Sequence, residues 1–242
     1  MAIEVIYCAA GGKWAADIAV NYFTYGARMP ATVYHKPEFI DNDYKDPDFK
    51  RYIEALEKWR PRLATVLDLE RLEQFDEVMD WAQAASQFVT EAILVIPKIW
   101  GLLDRIPEEI NGVPMRLAFS YPSSYGRADF QILDEMVGWK HGIHILGGSP
   151  QAQLALASGR RKRPRCQTPQ PDMITSGLDI RSVDNNYIMK LANMGLVWFG
   201  DSQGVRFAHL SIKDLFGERQ IENANHRAFR LSCNHLRWAW NG

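Results

Sequence analysis

Val66-Leu67-Asp68 and Ser182-Val183-Asp184 each end a short apolar run on an aspartate, and Phe39-Ile40 leads into Asp41-Asn42-Asp43. An acid seated at the end of a buried strand is partly desolvated, so its pKa moves easily. It can then serve as a nucleophile or as a general acid and base. Each of these acids also has a plainer use, because an Asp after a strand often caps the next helix or holds a turn. For Asp68, followed by Glu70-Arg71-Leu72, the two uses weigh about equally. For Asp43 the turn role is the stronger. Asp184 precedes Asn185, which can do any capping, and this leaves Asp184 freer for chemistry.

Ile143-His144-Ile145-Leu146-Gly147-Gly148-Ser149-Pro150 runs from an apolar stretch into two glycines and then into Ser-Pro, a good N-cap and first-turn pair. Two glycines there let backbone approach a ligand, with free N–H groups at a helix start. A tight strand-to-helix turn is the plainer reading. Tyr121-Pro122-Ser123-Ser124-Tyr125-Gly126 poses the same choice, its rings stacking on a planar ligand or packing. Arg160, Arg161, Lys162, Arg163 and Arg165 put five cations into six residues, a run suited to phosphates. Cys233-Asn234-His235 lacks the second cysteine pair of a zinc site. There is no G-x-S-x-G elbow, P-loop or H-E-x-x-H. His144, inside an apolar run, reads as a satisfied core residue. No metal and no cofactor is expected.

These residues need a frame that brings strand ends together. Candidate strands are Ile3–Tyr7, Thr32–His35, Ala64–Leu67, Ile93–Ile96, Arg116–Phe119, Ile143–Leu146, Asp179–Val183 and Leu196–Phe199. Several are continuous apolar runs, as strands buried on both faces should be. Between them, Phe49–Trp59 and Arg71–Phe88 carry helical periodicity, the second with Leu72, Phe75, Val78, Met79, Trp81, Ala82 and Ala85 on one face. Alternation of this kind over 242 residues predicts one compact α/β domain, a (β/α)8 TIM-type barrel whose strands' C-terminal ends converge on one face. A doubly wound open sheet is the alternative, but Ala9-Ala10-Gly11-Gly12 is not the glycine fingerprint that such a sheet carries after its first strand. Residues from about 213 to 242 read as a closing helical segment packed through Phe229, Leu236 and Trp240.

Composition narrows the setting. Hydrophobic residues are 47% and charged residues 24% of the chain, ordinary for a globular protein. The formal net charge is −1, so the basic run is local and the molecule is no polycation. Three widely spaced cysteines, Cys8, Cys166 and Cys233, argue for a reducing compartment. With neither a secretory leader pattern nor a membrane-length apolar run, the cytoplasm is expected.

Leu146-Gly147-Gly148-Ser149-Pro150 followed by Ser182-Val183-Asp184 resembles the motif pair of tRNA-guanine transglycosylases, a glycine-rich turn and then a strand ending in the nucleophilic aspartate. Phe39-Ile40-Asp41-Asn42 looks like that family's turn bearing the second catalytic aspartate. Thr65-Val66-Leu67-Asp68 looks like its strand ending in the base-recognising aspartate. The strings YGARMP (25–30), RPRLATVLDLE (60–70), ILVIPK (93–98) and HILGGSP (144–150) bring the chain closer to the DNA 7-deazaguanine transglycosylases common in bacteriophages. The Cys-x-Cys-x-x-Cys…His cluster of the tRNA enzymes has no counterpart after Asp184.

The resemblance implies a barrel without the zinc subdomain that replaces guanine in DNA, less readily in tRNA, with a free 7-deazaguanine such as the 7-cyano form. Asp184 would attack the sugar C1′, Asp41 would act as general acid and base, and Asp68 would read the guanine edge. Gly126, Gly147, Gly148 and Ser149 would line the base site, and the Arg160–Arg165 run would hold phosphates. If phage-encoded, the protein would act in the host cytoplasm.

Overall fold

The computed structural model describes residues 3–8, 12–29, 32–121, 131–159, 177–217 and 223–241. The strands are β1 (Glu4–Cys8), β2 (Thr24–Arg28), β3 (Phe39–Asp41), β4 (Leu63–Leu69), β5 (Ala92–Pro97), β6 (Glu109–Ile110), β7 (Val113–Ser120), β8 (Ile143–Leu146), β9 (Ile180–Asp184), β10 (Leu196–Gly200) and β11 (Phe207–Ser211). Eight of them, β1 to β5 and β7 to β9, pair in parallel. The β5–β7 and β9–β1 pairings close the ring. Around it lie α1 (Gly12–Ala19), α2 (Phe49–Trp59), α3 (Phe75–Ala85), α4 (Gln131–Glu135), α5 (Pro150–Ala157), α6 (Tyr187–Asn193), α7 (Ile212–Phe216) and α8 (Ala224–Asn241). This is the TIM-like barrel that the alternating pattern predicts. No helix among the described residues is long and apolar enough to cross a membrane.

Burial explains the elements. β5, Ala-Ile-Leu-Val-Ile-Pro, is buried along its whole length, as a strand between barrel interior and helical shell must be. α2 starts where the Asp48 side chain accepts from the Arg51 N–H, and ends at Arg60 with φ 46°. It buries Tyr52, Ala55 and Leu56 against the barrel, and α3 buries Val78, Trp81, Ala82 and Ala85. Leu72 departs from its expected face: it lies in a 3-10 turn ahead of α3 and is exposed. On the other side, α1, α6, α8 and β10 share a core containing Phe229, Leu236 and the fully buried Trp198.

The barrel interior holds Ile6, Cys8, Phe39, Leu63, Leu94 and Ile96. Gly26 on β2 makes room for it, since a Cβ there would lie 2.7 Å from Phe39 Cδ1. Gly26→Ala should destabilise the fold by about 1–3 kcal/mol through overpacking, read as a lower urea midpoint with unchanged m-value. An unchanged midpoint would show that Phe39 moves aside at no cost.

Two expected strands are corrected. Thr32–His35 is not a strand, and its place is taken by β2 and β3 on either side. Leu196–Phe199 is a strand, β10, but it pairs antiparallel with β11 outside the barrel. The eight-strand count survives because one expected segment is replaced by two. β2 (TYGAR) and β3 (FID) are too short and polar to show the apolar run that marks the other barrel strands. β10 does show such a run, because it is buried under α6 and α8.

Candidate active site

Asp184 is the last residue of β9 and only 8% exposed. Its Oδ1 accepts the Gly147 N–H at 2.6 Å. Gly147 and Gly148 both have left-handed φ, 69° and 88°, which a side chain would strain. The Gly-Gly turn therefore aims a backbone donor at the carboxylate, so the N–H expected to be free for a ligand is engaged. Gln153, fully buried on α5, locks this arrangement. Its Nε2 donates to Gly147 O at 2.7 Å and to Asp184 O at 2.6 Å, while its Oε1 accepts from Asn185 Nδ2 at 2.9 Å. Asn185 Oδ1 accepts from the Tyr187 N–H at 2.8 Å, so Asn185 secures the start of α6 and Asp184 is left out of that task. Oδ2 of Asp184 has no hydrogen-bond partner among the described residues.

Asp41 ends β3, and its Oδ1 accepts from Thr65 Oγ1 at 2.7 Å. The next residue, Asn42, is buried, and its backbone N–H donates to the same hydroxyl at 3.0 Å. Burial, with the charges of Asp184 and Asp68, pushes the Asp41 carboxyl up to about 7 against the Thr65 hydrogen bond and the Arg28 charge. A group titrating there can donate and accept protons at neutral pH. Asp43 does other work: its Oδ1 accepts from the exposed Lys45 N–H at 3.1 Å, a turn contact.

Asp68 lies within β4 and caps no helix. Thr65 pairs with Leu94 but Asp68 pairs with Ile96, so the ladder slips by one residue between them. This irregularity turns Asp68 to the side of Ile96, which is interior. Lys98, just past β5, meets Asp68 Oδ2 at 2.5 Å and Glu70 at 3.0 Å, with only 10% of its side chain exposed. Burial raises the Asp68 pKa, and the hydrogen bond and charge of Lys98 pull it back. Cys8, at the end of β1, is buried beside these acids. Burial and the Asp41 and Asp184 charges push its thiol well up, so it is a poor nucleophile.

Beneath the acids the interior is polar. His144 is fully buried, with Nδ1 2.8 Å from Ser182 Oγ and Nε2 3.7 Å from Asp184 Oδ1. It is a core residue, as expected, but Nε2 has no hydrogen-bond partner among the described residues. Arg116 reaches Ser182 Oγ at 3.3 Å and Glu91 at 3.0 Å, and Arg62 ties Glu91 to Glu4. Burial disfavours the Glu91 charge, yet Arg62 and Arg116 hold its carboxyl below the ordinary range.

The structure thus brings Asp41, Asp68, Asp184 and Gly147 together at the C-terminal mouth, with Gly148 beside Tyr121. Ser149 occupies the N-cap position of α5, but its side chain makes no capping hydrogen bond, so the expected cap is positional only. Gly126, Arg160, Arg161, Lys162, Arg163 and Arg165 lie outside the described residues. The described residues that flank the basic segment, Gly159 after α5 and Gly177 ahead of β9, lie toward the N-terminal ends of the barrel strands, whereas Asp184 closes the C-terminal end of β9. On the Asp184 face an exposed cation is Arg28, at the end of β2 in register with Asp41. Arg28, Thr65, Lys98 and Gln153 are not singled out by the sequence reading, and His144 appears there only as a core residue. Position near a strand's C-terminal end could have flagged Arg28 and Lys98, whereas Thr65 shows its partner only once β3 and β4 are adjacent, and Gln153 and His144 only once β8 and β9 are. Cys233 is buried in α8 with its thiol pushed up by burial. No group of three or more candidate metal ligands occurs among the described residues.

No curated protein and no solved structure matches the chain. A family of unknown function (DUF6610) matches residues 24–241, from β2 through α8 and with all three acids inside the match, and the chain belongs to that family.

Proposed function

We propose that the protein replaces guanine in a polynucleotide, DNA in particular, with a free 7-deazaguanine through a covalent aspartyl-sugar intermediate. The observation that carries this reading is the trio of acids in three different states. Asp184 is fixed through one oxygen, burial pushes the Asp41 carboxyl up to about 7, and Asp68 is paired with Lys98. Carboxyl groups whose surroundings separate their tasks are the signature of paired nucleophilic and acid–base chemistry.

Asp184 Oδ2 bonds to C1′ as the C1′–N bond breaks and its electron pair leaves with guanine, which takes a proton from Asp41. The incoming base gives its ring N–H proton to Asp41 and bonds to C1′ as the C1′–Oδ2 bond breaks. Protons balance and nothing is oxidised. Asp68 accepts from the purine N1–H and amine through Oδ1, since Lys98 occupies Oδ2. Lys98 stands beside it as a donor for the 6-oxo group. The target base must leave the stack to reach these groups, and Arg28 supplies positive charge for a phosphate at the mouth. DNA is favoured over tRNA because the stretch after Asp184 is the β10–β11 hairpin and α8, with Cys233 buried, where the tRNA enzymes carry their zinc cluster.

Lys98→Met should leave Asp68 without its counterion and lower discrimination between guanine-type and adenine-type bases by about ten- to a hundredfold. Competition between the two labelled bases measures this, and unchanged discrimination would remove Lys98 from the base site. The proposal as a whole is tested by incubating the protein with DNA or tRNA and radiolabelled 7-deazaguanine. Label entering DNA with release of equal guanine is expected. Guanine release without incorporation would mark an N-glycosidase, and neither event would overturn the reading.

A further inference from the structure

We infer that His144 is a positioning residue for Asp184, presenting an Nε2–H to the same carboxylate oxygen that Gly147 holds. The inference rests on Asp184 being the reacting carboxylate.

His144 on β8 is in register with Ser182 on β9. Arg116 donates from Nη1 to Ser182 Oγ at 3.3 Å. A guanidinium only donates, so the hydroxyl oxygen accepts there and its own hydrogen is free for His144 Nδ1, 2.8 Å away. With that hydrogen directed to Nδ1, the ring proton sits on Nε2. That atom is buried, has no hydrogen-bond partner among the described residues and lies 3.7 Å from Asp184 Oδ1. Phe39 stacks on the ring at 5.6 Å and 26°, which fixes its plane. A buried donor without a partner is uncommon, and one aimed at a carboxylate needs a reason.

The reason lies in the two oxygens. Gly147 and His144 both address Oδ1, so Oδ2 is left to bond carbon. In the covalent intermediate Oδ1 is the ester carbonyl oxygen. When the C1′–Oδ2 bond breaks again, its electron pair returns to the carboxylate, and the Gly147 N–H on Oδ1 together with the His144 Nε2–H 3.7 Å from it stabilises the charge. Loss of the His144 donor should therefore slow departure of Asp184 more than its attack, and the covalent intermediate should accumulate.

The first test needs no substrate. In protein labelled with ¹⁵N-histidine, the His144 ring, identified by its loss in His144→Gln, should show a protonated Nε2 and a bare Nδ1. Ser182→Ala should give a mixture of tautomers. A proton on Nδ1 in the wild type overturns the inference, whatever the protein's substrate proves to be. In exchange assays, His144→Phe should lower turnover about ten- to a hundredfold, with KM for the polynucleotide unchanged and a larger fraction of protein in the covalent form. His144→Gln puts an amide N–H where Nε2 stands and should recover most of the rate. Equal loss in both variants, or full activity in the Phe variant, overturns the inference.

Discussion

Asp184→Asn should lower base exchange by about four orders of magnitude or more, the scale of losing a nucleophile that acts within a catalytic unit. The fold should hardly notice. An asparagine can still accept the Gly147 N–H through Oδ1, and the Gln153 bond goes to the Asp184 backbone carbonyl, which the substitution leaves in place. The urea midpoint should therefore move by less than the equivalent of about 1 kcal/mol, and polynucleotide affinity should be retained. Single-turnover incorporation of labelled base, beside a denaturation curve, separates the two effects. A variant that keeps a tenth or more of wild-type activity would remove Asp184 from the nucleophile's role.

Asp41→Asn should move activity and stability in opposite directions. Losing the proton carrier should cost about 10²–10⁴ in turnover and flatten the wild-type inflection near pH 7. Stability follows from the raised pKa. The unfolded chain loses the Asp41 proton near pH 3.9, whereas the folded chain keeps it to about 7, because burial and the neighbouring Asp184 and Asp68 charges oppose ionisation. Between those values the folded state binds the extra proton, so wild-type stability contributed by this group declines as pH rises and levels off above 7. The asparagine variant has nothing to ionise. It should match the wild type near pH 4 and exceed it above pH 7 by on the order of 2–4 kcal/mol. Urea unfolding at the two ends of that window measures the difference, and a variant that is less stable at high pH would contradict the raised pKa.

How far these residues could be read from sequence depends on how local their reasons are. β5 announces itself because a strand buried on both faces must be apolar through its length, whereas β9, Ile-Arg-Ser-Val-Asp, and the short β3 are marked mainly by the acids that close them. β2 fails the same test, since Tyr25-Gly26-Ala27-Arg28 mixes an interior glycine with a terminal arginine, and the glycine is explained only by Phe39 on the next strand. β10 passes the test for another cause, its Trp198 being buried against the outer helices. Periodicity reports burial and not what does the burying. Asp68 facing inward depends on a slip in the β4–β5 ladder, and its pairing with Lys98 joins the ends of two strands. His144 looked like an ordinary core histidine because its partners, Ser182 and Asp184, lie on the neighbouring strand.

The covalent bond between Asp184 and a sugar is the step on which the proposed exchange depends most directly. Rapid denaturation of the protein mixed with guanine-containing DNA, without acceptor base, followed by digestion and peptide mass analysis, tests it. The peptide containing Asp184 should carry a nucleotide remnant lacking its base, absent from Asp184→Asn and discharged by adding 7-deazaguanine. Release of guanine with that peptide unmodified, or a remnant on another residue, would contradict it.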